Sequence, residues 1–500
     1  VIMANDPHIG FAQPSVWYEA HIITPGYEKY GYYLAGVPYP LLGHDRRMAY
    51  GLTMFQNDDI DFYSETVDSA DNSRYQRPEG WGVFETIEKQ IRVKDADPVT
   101  FSYRKTDRGP VLNEVLKSLK GSDPVSMSWV YTKGSNKVLQ ALYGISHSKD
   151  MLSFEKAVEH IHAPGLNVMY GDAEGNVAWW GAARLNTHSD SLNTKLFLDG
   201  ATVPAPVQKP FDDNPRTINP PWGYVYSANN QPDSSQFGRI PGYYLPENRA
   251  RRIESLLEPR DDWDRDAVME MITDVTSDVN PEIISSLTAA LPEQNFEAEE
   301  QQMLEALKAW DGTADLESKE AVLFHRWVYE FLSATFKDEL GADGFESLLS
   351  THLMKRLIFP MSQKAESLWW DDIRTPEVVE QRGDIVLQSF DAAVASIRSD
   401  FGGYQGEWGW KDVHSLEFNH PFGRVESLRS YFNVGPFPVN GTREVINNLS
   451  FPYDSTGFYK VNVGPSTRRV IDFSDIESSM SILPTGQSGN PFSPHYDDQV

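Results

Sequence analysis

The spacing of apolar residues changes twice along this 500-residue chain, and this change limits the possible folds more than any other feature. Early segments such as Val16–Tyr18 and Tyr32–Leu34 are β-branched or aromatic runs separated by Pro and Gly, which is typical of short strands. From about Pro246 to Ser350 apolar residues recur at helical spacing, and short strands return after about Trp408. This order predicts an α+β protein with stacked sheets rather than a βαβ series.

Some segments can be assigned in more detail. Val177–Trp180 follows a turn at Asp172–Asn176 and is predicted to be a strand. Three helices are predicted after residue 245, and they contain Ala250, Ile253, Leu256 and Leu257, then Met303, Leu304, Leu307 and Trp310, then Ala321–Leu332. We expect the chain to divide into residues 1–245, a mainly helical part over 246–400, and a β-rich part over 401–500.

The composition excludes several classes of protein. Hydrophobic residues make up 40% and aromatic residues 12%, which indicates a packed globular protein rather than a disordered one. The formal net charge of -28 argues against nucleic acid or an anionic membrane surface as a partner. No apolar run reaches the roughly 18 residues of a membrane span. The absence of Cys excludes disulfides, thiolate metal sites and Cys nucleophiles, and it is compatible with a periplasmic or extracellular bacterial protein.

Several short motifs follow one another in an order that characterises one enzyme family. They are Asn5–Gly10, Leu41–Asp45, Tyr50–Thr53, Asp58–Asp61, Ser227–Pro232, Glu247–Ile253, Phe432–Pro436, Pro484–Pro491 and Ser493–Tyr496. Together they span nearly the whole chain and resemble the penicillin acylases, which are N-terminal-nucleophile hydrolases. The resemblance implies an αββα sandwich whose core is formed by residues 1–245 and 401–500, with a helical insertion over 246–400.

The resemblance also implies a self-processing precursor. In this family the precursor cuts itself into a light and a heavy subunit and exposes a Ser at the start of the heavy subunit. The α-amine of that Ser, with a reference pKa of about 8, acts as its base, because a hydroxyl is a poor nucleophile until its proton is removed. By the family pattern, this nucleophilic Ser should lie about fifteen residues before Val1. Ser135 is interpreted as part of a turn. We therefore expect this chain to be a heavy subunit that is inactive alone and needs a light subunit as partner.

Four residues match the catalytic positions of the family. The Asn229 amide would donate to the oxyanion of the tetrahedral intermediate, and the main-chain N–H of Met54 would be the second donor. His8 would lie beside the α-amine of the nucleophile. Arg249 would orient Asn229 or a substrate carboxylate. Without the resemblance, these residues would be a loop Asn, a core Met, a loop His and a helix-surface Arg.

A second set of residues matches the acyl pocket. Ile9, Leu42, Leu52 and Thr53 occupy these positions, and three of them are aliphatic. They favour an apolar acyl group over a dicarboxylate-like group such as glutaryl, although core residues would look the same in sequence.

The resemblance also implies a structural calcium site at Asp58, Ile60 and Asp61, where two carboxylates and a main-chain carbonyl supply hard oxygen ligands. A solvated acidic turn is the alternative. A further Asp ligand of the family would fall near Gly238 to Arg239, where the sequence has no carboxylate. No organic cofactor is implied.

The sequence therefore predicts hydrolysis of an N-acyl amide through a Ser acyl-enzyme, in the periplasm or outside the cell. Three alternatives remain open at this point. The substrate could be an N-acyl-homoserine lactone or a lipopeptide rather than a β-lactam. The protein could be a glycoside hydrolase, which would need two carboxylates about 5 to 9.5 Å apart in a cleft. It could also be a non-catalytic family member that binds amides or a partner chain.

Overall fold

The structure is a computed structural model, and it describes residues 1–134, 136–189, 191–232, 238 and 240–500. The predicted turn at Ser135 and the Arg239 end of the expected calcium segment lie outside these residues.

The first part of the chain forms short strands, as the Pro and Gly residues between its apolar runs predict. The strands are β1 (Ile2–Asn5), β2 (His8–Gly10), β3 (Trp17–Thr24), β4 (Tyr27–Leu34), β5 (Leu42–His44), β6 (Met48–Met54), β7 (Ile60–Ser64), β8 (Val67–Asp68), β9 (Asp71–Arg77), β10 (Gly80–Val83), β11 (Glu85–Ile91), β12 (Val99–Lys105), β13 (Val125–Trp129), β14 (Leu166–Asp172), β15 (Val177–Ala182), β16 (Asn186–Thr187), β17 (Leu198–Asp199), β18 (Val207–Gln208) and β19 (Arg216–Ile218). Two helices, α1 (Val138–His147) and α2 (Met151–Val158), lie between β13 and β14. The predicted strand at Val177–Trp180 is confirmed as β15.

Seven of these strands form a large antiparallel sheet in the order β19-β15-β14-β6-β5-β4-β3. Side chains alternate between the two faces of a strand, so Tyr50 and Leu52 of β6 share one face. That face packs against α1 and α2 in a core of buried side chains that includes Ile145, Phe154 and Tyr170. The two helices therefore cover one face of the large sheet.

The middle of the chain is helical, and all three predicted helices are confirmed. The helices are α3 (Asn248–Leu257), α4 (Arg265–Ile272), α5 (Asn280–Ala290), α6 (Ala298–Ala309), α7 (Lys319–Leu349), α8 (His352–Gln363) and α9 (Arg382–Phe401). The helical region extends past Ser350 to include α8 and α9. The apolar faces of these two helices pack against the core formed by α5, α6 and α7. No helix in the described ranges combines the length and the hydropathy that a membrane crossing requires.

The last part returns to strands. It contains β20 (His414–Phe418), α10 (Glu426–Phe432), β21 (Val434–Pro438), β22 (Tyr459–Val461), β23 (Val463–Pro465), β24 (Arg468–Asp472) and β25 (Met480–Ile482). The strand β24 joins the two ends of the chain, since it pairs with β1 on one side and β25 on the other. This gives a second antiparallel sheet in the order β1-β24-β25.

The two sheets stack face to face. Met3 of β1 packs against Ala49 of β6 and Ile471 of β24. Gly51 of β6 allows this approach, because a Cβ there would lie 2.7 Å from the side chain of Asn5. Helix α4 contacts β1 and β24 on the outer face of the small sheet. The layers are thus α1 and α2, the large sheet, the small sheet and α4, which confirms the expected αββα sandwich.

Candidate active site

Asn229 lies in the loop before α3 and has a left-handed backbone, with φ of 61°. Asn tolerates this conformation better than most residues. Its side-chain Nδ2 donates to the main-chain oxygen of Met54 at 2.9 Å, and its main-chain oxygen accepts from Leu245 N at 2.9 Å. The structure therefore brings together the two residues that the sequence assigns to the oxyanion hole.

Arg249 fixes the orientation of the Asn229 amide. It lies buried in the first turn of α3, where Nη2 donates to Asn229 Oδ1 at 3.0 Å and to the Ala228 oxygen at 2.6 Å. A guanidinium has only donors, so the amide must turn its oxygen toward Arg249 and its NH2 group toward β6. One hydrogen of that NH2 group binds Met54, and the second remains available for a ligand.

The ladder between β6 and β14 sets the direction of the Met54 N–H. Phe55 N donates to Gly165 O at 3.1 Å, which makes this pair hydrogen-bonded. In an antiparallel ladder such pairs alternate with pairs that point their polar groups away from the partner strand. The next pair, Met54 with Leu166, is of the second kind. The Met54 N–H therefore points away from the main chain of β14. The Met54 carbonyl oxygen accepts both from the Asn229 amide and from Asn167 Nδ2, a side chain of β14, at 2.9 Å each.

His8 begins β2 and lies next to this group. Its Nε2 is 3.4 Å from Oδ2 of Asp6. Burial is the main cause that lowers the pKa of His8; Asp6 opposes this effect, and the positive charges of Arg249 and Arg468 add to it. His8 is therefore neutral near pH 7, and a neutral imidazole can accept a proton.

Several of the buried polar atoms that lack a hydrogen-bond partner among the described residues lie at this place. These are Asp6 Oδ2, His8 Nε2, Arg249 Nε and Arg468 Nε. Buried polar atoms are normally paired, so such a group marks a position where a ligand or another segment can bind. This is where the predicted catalytic residues meet.

Sequence reasoning missed the charged residues behind Arg249. Glu444 is buried, and its Oε1 lies 2.8 Å from Lys355 Nζ of α8. Burial alone would raise the pKa of Glu444, but Lys355, Arg249 and Arg443 outweigh it and lower the pKa to about 2. Glu444 is far from Arg249 in sequence and lies in no quoted motif, so no local signal could have found it. Asp6 lies inside the Asn5–Gly10 motif, but only the fold shows that it faces His8.

The residues assigned to the acyl pocket separate into two groups. Leu42 and Leu52 are buried in the core between the large sheet and its helices, and Ile9 packs at the edge of that core. Thr53 faces the opposite way, where its Oγ1 lies 3.3 Å from Ser227 Oγ and accepts from Asn167 Nδ2 at 3.2 Å. Their contribution to a pocket stays a prediction, and the aliphatic members have a packing role in any case.

The two Asp residues of the expected calcium site lie close together. Thr194 Oγ1 donates to Asp58 Oδ2 at 2.5 Å, and His188 Nε2 lies 3.0 Å from Asp61 Oδ2. Asp58 Oδ1 is buried without a partner among the described residues. Burial is the main cause that raises the pKa of Asp58 to about 6, and the Asp61 charge raises it further. An unpaired carboxylate oxygen fits a hard cation. Within the described ranges, however, no three His, Cys, Asp or Glu side chains form a metal-binding group, so further oxygen ligands would have to come from elsewhere.

A cavity of about 210 Å³ lies apart from these residues. Tyr30, His44 and Ser481 are among the side chains that line it. His44 pairs with Ala49 at the start of β6. Five residues of strand at about 3.3 Å each separate Ala49 from Met54, so the cavity is on the order of 17 Å from the site.

Comparison with known proteins identifies the family. A sequence model described as penicillin amidase matches residues 1–500. The chain belongs to the penicillin amidase family. Among its relatives, the acyl-homoserine lactone acylase QuiP of Pseudomonas aeruginosa is 26% identical over 556 residues, which cover 100% of this chain and 63% of that protein. The penicillin acylase 2 proenzyme of Pseudomonas sp. (strain SE83) is 25% identical, with the same coverage of 100% and 63%.

Both relatives are thus longer than this chain, which spans less than two thirds of the length of each. Among solved structures, a thermostable penicillin G acylase from Alcaligenes faecalis has a TM-score of 0.74 and 19% identity, and the match covers 100% of this chain and 91% of that chain. This similarity establishes the fold of the N-terminal-nucleophile hydrolases for the present family member.

Proposed function

We propose that this chain is the nucleophile-bearing subunit of an amidohydrolase that cleaves N-acyl amides through a Ser acyl-enzyme. One observation carries the proposal. The Asn229 amide is held by Arg249 so that its NH2 group lies 2.9 Å from the carbonyl oxygen of Met54, the residue whose N–H points away from the main chain of β14. Two neighbouring donors are what a tetrahedral oxyanion needs.

In the proposed reaction, a Ser that precedes Val1 attacks the amide carbonyl carbon. The carbonyl oxygen becomes the oxyanion and accepts from the free Asn229 Nδ2 hydrogen and from the Met54 N–H. The neutral His8 imidazole lies beside the proposed position of the Ser α-amine and helps to pass the proton to the leaving amine. The Ser α-amine takes the hydroxyl proton during the attack, and the C–N bond then breaks as the leaving amine is protonated. Water hydrolyses the resulting ester, which releases the carboxylic acid and restores the Ser. Because the proposed nucleophile precedes Val1, we propose that residues 1–500 are inactive alone.

We propose an apolar acyl chain as the acyl half of the substrate. Ile9, Leu42 and Leu52 favour it, and relatives over the full chain carry the name acyl-homoserine lactone acylase. A β-lactam amide is the second candidate, because a relative of nearly equal identity is named penicillin acylase 2 proenzyme. Hydrolysis rates for acyl-homoserine lactones of increasing chain length, a lipopeptide and penicillin G separate these substrates.

We further propose a light subunit from the same precursor as partner, and a periplasmic or secreted location. The greater length of the relatives supports the first of these proposals. Mass spectrometry of the purified full-length gene product tests the first proposal: two chains should appear, and the heavier one should begin with Ser. A single unprocessed chain would contradict the hypothesis that the precursor processes itself. Cell fractionation tests the second proposal, and activity confined to the cytoplasm would contradict it.

We also propose that calcium binds at Asp58, Asp61 and the Ile60 carbonyl. The unpaired Asp58 Oδ1 supports this assignment, and main-chain carbonyl oxygens and water would complete the shell. Calcium should then raise the temperature of thermal unfolding, and Asp58→Asn should abolish that rise. An equal rise in the variant would exclude the site.

The function itself is tested with the full-length enzyme and a panel of N-acyl amides. Release of the free amine, followed by a fluorogenic amine label, should be detectable for at least one amide with an apolar acyl group. Replacement of the proposed N-terminal Ser by Ala should abolish release. Activity that survives this replacement would exclude the Ser mechanism.

A further inference from the structure

We propose that Asp6 is a positioning residue that fixes the orientation and tautomer of the His8 imidazole. The inference rests on the proposed function only for its kinetic consequence. The contact between the two side chains is present whatever reaction the site carries out.

The segment that carries the pair is held on both sides. Asn5 pairs with Arg469 of β24, and His8 pairs with Pro465 of β23. Between them, the Pro7 carbonyl accepts from Ser466 N at 3.0 Å and from Ser466 Oγ at 2.7 Å. Asp6 and His8 therefore project from a turn that cannot easily rearrange. Their side chains meet at 3.4 Å.

This contact selects one tautomer of the imidazole. His8 Nε2 faces Asp6 Oδ2 at 3.4 Å without forming a hydrogen bond. The negative charge still favours the proton on the nitrogen that faces it, because an unprotonated nitrogen would turn its lone pair toward a group that only accepts. In the neutral ring Nδ1 is then the unprotonated nitrogen, and it is the atom that can accept a proton during the reaction.

Three charged groups act on His8. Asp6 is a carboxylate and raises the pKa of His8, whereas Arg249 of α3 and Arg468 of β24 are cations and lower it. Asp6 also acts on both cations, since its charge raises the pKa of Arg249 and of Arg468. Without Asp6, the imidazole would face two cations and could turn either nitrogen toward them.

A purely structural role for Asp6 has less support. A structural Asp in this chain looks like Asp45, which accepts from the main-chain N–H of Arg47 and Met48 and pairs with Lys29. No main-chain N–H among the described residues donates to Asp6. Its contacts are with the side chains of the site.

The first test reads the tautomer directly. In the full-length enzyme with 15N- and 13C-labelled histidine, the ring signals of His8 are assigned by their loss in His8→Gln. The wild type should show Nε2 protonated above the His8 pKa, and Asp6→Asn should move the His8 titration to lower pH. Asp498→Asn is the matched control, because Asp498 pairs with the exposed His495 at 2.8 Å and should affect only that ring. A wild-type His8 protonated at Nδ1, or a titration unchanged by Asp6→Asn, would overturn the proposal.

The second test is kinetic. Asp6→Asn should lower kcat/KM about tenfold or more in the wild-type background, as expected for a disturbed proton-transfer group, and should move the acid limb of the pH profile to lower pH. In the His8→Gln background the same substitution should have little further effect. An equal loss in both backgrounds would show that Asp6 acts elsewhere and refute its role.

The two tests fail in different ways. If the full-length enzyme hydrolyses no amide, the proposed function fails, and the tautomer measurement alone decides the role of Asp6. If Asp6→Asn does not fold, the tautomer of His8 in the wild type still decides the role of Asp6. Asp6→Ala then replaces Asp6→Asn in the titration.

Discussion

Replacement of Asn229 by Gly separates the chemistry of this residue from its role in the fold. Asn229 has φ of 61°, a conformation that Gly adopts without a Cβ penalty. The change removes the Nδ2 donor and the Oδ1 acceptor, while Arg249 keeps its bond to the Ala228 oxygen. Loss of one oxyanion donor should lower kcat about 10²- to 10³-fold, or about 2.7 to 4 kcal/mol of transition-state stabilisation.

The cost in stability should be smaller. The lost bond from the charged Arg249 is worth about 1.5 to 3 kcal/mol, the lost bond to Met54 about 0.5 to 1.5 kcal/mol, and release of the left-handed strain returns about 1 kcal/mol. The net loss is about 1 to 3.5 kcal/mol, so the variant should still fold. The wild-type and variant full-length enzymes are compared by steady-state kinetics and by thermal unfolding.

Asn219→Gly is the matched control for this experiment. Asn219 also has a left-handed backbone, with φ of 46°, but its side chain binds the turn and the strand at Asn176 and Val177. It should keep the wild-type kcat. The reasoning is refuted if Asn229→Gly keeps more than a tenth of the wild-type kcat, or if the control loses as much as the site variant.

Three further predictions concern buried residues of the sheet core and of the site. Leu52→Ala should lower the free energy of unfolding by about 2 to 5 kcal/mol, as a cavity in the core does, and denaturant titration checks this. Lys29→Met should cost about 3 to 5 kcal/mol in the same titration, because it leaves the buried Asp45 carboxylate without its partner at 2.7 Å. Glu444 has a pKa of about 2, below its ordinary value of 4.5, so its stabilising effect is present above about pH 4.5 and is lost as the pH falls toward 2. Unfolding temperatures of the wild type and Glu444→Gln should therefore differ at neutral pH and converge near pH 2.

Much of the fold is predictable because the signals are local. The aromatic and β-branched runs of β3 and β4, bounded by Pro and Gly, and the helical faces of α3, α6 and α7 each lie within one segment, so local composition and periodicity identify them. The order of the quoted motifs leads to the family and to Asn229, Arg249, Met54 and His8. Their assembly is a matter of the tertiary structure.

The role of Leu42 and Leu52 is harder to predict. A pocket wall and a filled core both need aliphatic side chains, and only their burial against α1 and α2 shows the packing role. The calcium segment is similar, because the neighbours of its carboxylates come from distant loops. His188 is 127 positions from Asp61, and Thr194 is 136 positions from Asp58. Such contacts leave no periodic trace in sequence.

The sequence by itself determines the order of strands and helices, the family and the residue types that carry the proposed chemistry. These properties depend on neighbouring residues and on motifs, which the chain displays without folding. The tertiary structure decides which way those residues face. It turns the Asn229 oxygen toward Arg249, directs the Met54 N–H away from β14 and brings Asp6, Arg468 and Glu444 around His8 and Arg249. These relations depend on how the backbone turns and on contacts between segments, some of which lie hundreds of residues apart, and only folding sets them.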